Sequence, residues 1–312
     1  MRRVLAVLGA VGMVVAAIVI RQAIDDEEAS GPSPDAGSVV ICADDLVEQC
    51  DAFGSGVEVR SEPAATTADA ITDGTVADDV DAWITTTAWL EVVDGRTPDA
   101  LGGRRALATS PTVVATAPGR FDAITDLCAG DDVWSCLGDA AGSDWADLGD
   151  GTHPEWRELK VGLTDPDSAG GLSGLASASA GFFGNTTFAA NEPAFDEFEG
   201  WLANLAGPSA NGDPNPAETL ATRPGTYSAA GSIAAIADDF DVRGVDALDP
   251  DPAIAATIAI VGLGEGDLPD TAPVRDALVE SGWATATADD LAPTLKPGVM
   301  AALHTLWKAV TG

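Results

Sequence analysis

The sequence predicts an α/β protein of two lobes, each a mostly parallel sheet flanked by helices, behind an N-terminal membrane helix. Three observations predict it. Apolar strands alternate with short helices over brief connections, which is the pattern of a parallel sheet covered by helices. A long extended stretch at 105–117 leaves the first run of such units, and an apolar strand at 254–261, after Pro250 and Pro252, returns late in the chain. An uncharged run at 4–20 lies between Arg2-Arg3 and Arg21.

The elements follow in order. The run at 4–20 has 17 residues, the low end of a membrane span of roughly 17–25 residues. No A-x-A site and no following Cys ends it, so residues 1–24 read as an uncleaved signal anchor with the two arginines inside. Residues 25–37, rich in Asp, Glu, Ser, Gly and Pro, read as a linker. This predicts a single-pass cell-membrane protein whose soluble region is extracellular.

Residues 38–42 form a buried strand, 44–53 a short helix and 57–60 the next strand. A helix opens at 66–72 with Thr66 or Thr67 as its N-cap. A third strand at 80–84 ends in Thr85, Thr86, Thr87 and Trp89. The stretch 105–117 contains Ser110-Pro111, which suits an edge, bend or crossover, and is read as the passage into a second lobe. That lobe carries helices at 121–127, 171–181 and 195–205, a strand at 159–163 and a polar loop at 208–216. The return strand at 254–261 precedes helices at 272–283 and 297–310. The predicted boundaries are 38–117 and 250–312 for the first lobe and 118–249 for the second.

Charge excludes one class of partner. The net charge is −35, with three lysines in 312 residues, and such a surface repels nucleic-acid phosphate and anionic headgroups. Cys42 and Cys50 are eight apart, as are Cys128 and Cys136. An even count in an exported chain favours disulfides, and the two local pairs are the simplest of three connectivities. Neither spacing is that of a zinc or redox site, and two histidines are too few to complete a metal set. No metal and no cofactor are expected.

Four pieces, at 39–50, 80–85, 160–175 and 250–263, occur in an order that resembles bacterial extracellular solute-binding proteins with the type II periplasmic-binding fold. The third piece reads Lys160-Val161-Gly162-Leu163-Thr164-Asp165-Pro166-Asp167-Ser168-Ala169-Gly170-Gly171-Leu172. The resemblance covers residues 38 to the end. It implies a two-lobed trap for a small solute, usually partnered with the permease of an ABC-type transporter. Oxyanion-binding relatives tend to place Ser after the first strand, where this chain has Ala43-Asp44. A carboxylate there opposes an oxyanion.

Ligands of open α/β sheets bind at the carboxyl ends of strands and at helix N-termini. That rule selects Asp44, Thr86, Trp89, Ser110, Asp165, Asp167, Ser168, Tyr227 and Ser228 as ligand-binding candidates, with hinges near Ser110 and Pro252. Other roles stay open beside this one. Asp165, Asp167 and Ser168 also suit a helix cap, and Trp89 and Tyr227 also suit a core. Free N–H groups favour negative or polar oxygen and the aspartates favour a positive group, so a small zwitterion or polar neutral solute is expected. Enzyme motifs are near misses. Gly171-Leu172-Ser173-Gly174 is followed by Leu175 where a nucleophile elbow needs Gly, and Gly262, Gly264 and Gly266 have the wrong last spacing for a dinucleotide loop. The expectation is a membrane-tethered, non-catalytic solute-binding protein; the alternative is a ligand-free sensory or protein-interaction module on the same fold.

Overall fold

Strand β1 (Ser38–Ala43) opens the fold, followed by α1 (Val47–Cys50), β2 (Val57–Glu62), α2 (Ala64–Asp73), β3 (Ala82–Thr86) and α3 (Thr87–Arg96). The long β4 (Arg104–Thr116) leads to α4 (Phe121–Leu127), α5 (Val133–Ala140), β5 (Val161–Gly162), α6 (Ala169–Phe183), α7 (Ala194–Ala206) and α8 (Pro216–Thr222). Then come β6 (Ala229–Ile233), α9 (Ala234–Ala237) and β7 (Asp246–Leu248). The described chain closes with β8 (Ala255–Gly262), α10 (Ala272–Glu280), β9 (Ala284–Thr285) and α11 (Val299–Thr311). This computed structural model describes residues 37–149, 151–191, 193–209, 213–264, 267–296 and 298–312. The expected signal anchor, and the linker up to residue 36, lie outside the described residues. Among the described residues no helix is long and apolar enough to cross a membrane.

The strands run in the order β2-β1-β3-β8-β4-β6-β5, with β7 and β9 also on β4. The first sheet forms because β1 and β8 are nearly continuous apolar runs, buried on both faces. Strand β1 pairs in parallel with β2 and β3, and β8 runs antiparallel between β3 and β4.

Strand β4 belongs to two sheets. Its first part, to Pro111, pairs with β8, and from Thr112 it pairs with β6. The strand is therefore central, not the edge that its proline suggested, and passes from the pairing of one sheet to that of the other. Pro111 is tolerated inside a central strand because it sits at the last β8 pair before β6 pairing begins. Thr112 fastens the crossing: its N–H and Oγ1 both donate to Ile254 O, at 2.8 and 2.9 Å.

Two other expectations are corrected. The second sheet is not mostly parallel, since only the two-residue β5 pairs in parallel and both β6 and β7 run against β4. Helix α2 starts at Ala64 with no side-chain cap. Its early N–H group at Ala65 instead donates to Asp167 O at 3.0 Å, so a distant carbonyl does the work assigned to Thr66 or Thr67.

Both local disulfides are present, Cys42–Cys50 and Cys128–Cys136. Each closes a loop that carries an aspartate in contact with a helix N-terminus. Asp132 caps α5, accepting from Trp134 N at 2.8 Å and Ser135 N at 3.3 Å. Asp45 reaches α6.

Candidate functional site

The turn between β5 and α6 is built by its own side chains. Asp165 Oδ1 accepts from Asp167 N at 3.1 Å, and Asp165 O accepts from Ser168 N and Ser168 Oγ at 3.0 and 2.8 Å. Ser168 is the N-cap of α6 and accepts from Gly171 N at 3.0 Å. Glycine is required at 171: a Cβ there would overlap Asp165 O and stand 2.9 Å from Ser168 Oγ.

The end of β3 and the start of α3 close on this turn directly. Thr86 Oγ1 donates to Ala169 O at 2.8 Å, and the Trp89 indole N–H donates to Ser168 O at 2.9 Å. Asp167 meets His304 Nε2 at 2.8 Å and the Lys308 ammonium, both on α11. The His304 hydrogen bond, with help from Lys308, holds the Asp167 carboxyl below the usual carboxylate range against the opposing effect of burial. Trp89 packs edge-on against His304, centroids 4.9 Å apart.

Asp45 completes the closure from 124 residues away, its two oxygens accepting from Ala169 N at 3.2 Å and Gly170 N at 2.8 Å. Protein atoms crowd its carboxylate and push its pKa up, while the two N–H bonds pull it down. The residue nonetheless keeps an exposed face. That accessible face limits the desolvation that crowding alone would imply.

That face borders a cavity of about 270 Å³, just under the roughly 300–1,000 Å³ usual for ligand pockets. Thr164, Asn215 and Ser232 supply its other side-chain polar groups; Leu163, Leu175, Ile233, Ile236 and Trp307 supply apolar wall. Asp45 follows β1, Leu163 and Thr164 follow β5, and Ser232 and Ile233 end β6. The cavity thus lies at carboxyl ends of strands from both sheets.

The nine sequence candidates are placed as follows. Thr86, Trp89, Asp165, Asp167 and Ser168 do converge, but on one another, and none of them lines the cavity. Asp44 is exposed and off the cavity, because the 3-10 turn Asp44–Leu46 aims its neighbour Asp45 inward instead. Ser110 is buried and accepts from Ala235 N at 3.1 Å, which ties β4 to α9. Tyr227 packs in a small second core with Val113, Ala217 and Leu220. Ser228 is wholly buried, accepting from Arg120 at 2.7 Å and facing the Trp145 indole N–H at 3.2 Å. These last three are packed and hydrogen-bonded within the fold and do not line the cavity. The polar and aromatic cavity residues missed from sequence are Asp45, Thr164, Asn215, Ser232 and Trp307; the visible signals were the place of Asp45 beside Asp44 and of Thr164 directly before Asp165.

The sequence matches no protein-family profile and no curated protein. Solved structures do match. The Atu4243-GABA receptor and the ferric binding protein from Campylobacter jejuni each align with a TM-score of 0.52 at 10% identity. The alignments cover 88% of this chain, and 98% and 97% of theirs. At that identity the likeness shows fold, and the fold is the type II periplasmic-binding fold seen in periplasmic solute-binding proteins.

Proposed function

We propose that this chain is a membrane-tethered extracellular solute-binding protein without catalysis, passing its solute to the permease of an ABC-type transporter. The first lobe is residues 38–117 and 250–312, the second 118–249, and the solute lies between them. The observation that carries this reading is the cavity, which takes walls from both sheets and one carboxylate with an open face. Hinges near Ser110 and Pro252 would let the lobes part. Tethering rests on the apolar run at 4–20 and is tested by recovery of the intact N-terminus in the membrane fraction.

The solute test is a thermal-shift panel on the full chain with amino acids, polyamines, sugars and oxyanions. A true ligand well above its Kd raises Tm by a few degrees. Gly174 lines the cavity and a Cβ there meets nothing within 4 Å, so Gly174→Phe should plug it and abolish the shift. No hit from the panel would overturn the reading. One observation favours a second reading, a ligand-free sensory module: Asp45 already fills the N–H groups that a solute would use.

A further inference from the structure

Granted the solute-binding reading above, the cavity's chemistry narrows the solute. A helix N-terminus at a cleft is a ready anion seat, provided its first N–H groups are free. Here they are not. Ala169 N and Gly170 N donate to Asp45, and Gly171 N donates to Ser168 Oγ. Helix α8, whose cap Asn215 lines the cavity, starts with Pro216, which has no N–H, and Asn215 accepts from Glu218 N; at the start of α9 Ala235 N donates to Ser110 Oγ. An anionic solute would have to displace Asp45 or lie against its charge.

The remaining chemistry has one sign. Among the described lining residues Asp45 is the one ionisable side chain, and there is no Lys, Arg or His to hold an anion. The Asp45 carboxylate has two bonds from backbone N–H groups and an exposed face, so it has acceptor capacity left. The net charge of −35 adds a field that draws cations towards the cleft. The other walls are largely apolar, with Leu163, Leu175, Ile233, Ile236 and Trp307 beside the neutral polar Thr164, Asn215 and Ser232.

We propose that the cleft takes a small organic cation, with a primary amine or ammonium head on Asp45 and a compact apolar body against Ile233, Ile236 and Trp307. Of the two demands that the sequence set on the solute, a negative group for the N–H donors and a positive group for the aspartates, the structure keeps the second. The zwitterion expected from sequence therefore loses the reason for its anionic half.

The test is calorimetric titration of the full chain with three probes: phenethylamine, 3-phenylpropionate as its anionic counterpart, and inorganic phosphate. The amine should bind saturably and the two anions at least about tenfold more weakly, the scale of one charge-assisted hydrogen bond. Asp45→Asn keeps an oxygen for Gly170 N and should leave Tm nearly unchanged while weakening the amine about tenfold or more. Amine binding that is unaffected by Asp45→Asn would overturn the proposal. Preferential binding of an anion or a sugar that Gly174→Phe abolishes would also overturn it, and would leave the solute-binding reading standing. Failure of all three probes together with the whole solute panel would overturn both.

Discussion

The N-termini of α5 and α6 are both met by an aspartate, and the two aspartates do different work. At α5 the cap is local: Asp132 immediately precedes the helix and holds its first N–H groups with Oδ1. Its Oδ2 accepts from Asp251 N at 2.8 Å, so the same carboxylate also steadies the returning chain. At α6 the local cap is Ser168, and Asp45 is a second cap from another sheet. A local cap makes a helix begin where it does. A remote cap joins two parts of a fold, and here it also puts a charged group with an open face on a cavity. The contrast separates a residue that specifies structure from one available to a ligand.

The largest effect should come from crowding either helix end. Gly181 of α6 lies against the α5 cap: a Cβ there would overlap Asp132 Oδ1 and stand 2.6 Å from Trp134 Cβ. Gly181→Ala and Gly171→Ala should each cost about 3 kcal/mol in chemical denaturation, because backbone or a fixed cap must move. They should differ in binding: Gly171→Ala disturbs the turn at the cavity, and Gly181→Ala leaves the solute affinity of the remaining folded protein intact. Equal loss of binding would erase the distinction between the two ends.

Removing the disulfides should be next in size. Cys42→Ser with Cys50→Ser, and Cys128→Ser with Cys136→Ser, should each lower stability by about 2–3 kcal/mol for loops this short. Only the first pair should weaken solute binding, since only its loop carries Asp45; titration of both double variants decides it.

The smallest effect should be the caps themselves. Asp132→Ala should cost about 1–2 kcal/mol, losing a cap and the bond to Asp251. Asp45→Ala should cost about 1 kcal/mol or less, because Ser168 still caps α6 and the Asp45 carboxylate is crowded. A reversed order in urea denaturation would mean that Asp45 is chiefly structural.

Local chemistry made much of this legible. The strand, turn and helix at 159–175 were readable because an apolar run, an Asp-Pro-Asp-Ser turn and a small-residue helix follow one another. Helices α7, α10 and α11 were readable from apolar periodicity. Strand β6 was missed because Ala-Ala-Gly-Ser-Ile offers one β-branched residue and little strand preference; its pairing partners β4 and β5 make it a strand. Helix α5 had a signal that went unread, an Asp before Val133, Trp134 and Leu137 at helical spacing. The site was less legible than the fold. Which of Asp44 and Asp45 faces inward depends on one 3-10 turn, and Tyr227 and Ser228 look the same in sequence whether they meet a solute or a core. Hydroxyls and indoles mark positions that need a polar partner, and only tertiary packing decides that the partner of Trp89 is Ser168 O.

Both aspartates ride on loops of the same length, each closed by one sulfur–sulfur bond. Reduction would open both loops and free the chain between each pair of cysteines. For Asp132, which caps α5 from the position just before it, the sulfur bond is a second restraint; for Asp45, 124 residues from Ala169, the covalent loop narrows the search that brings the carboxylate to α6.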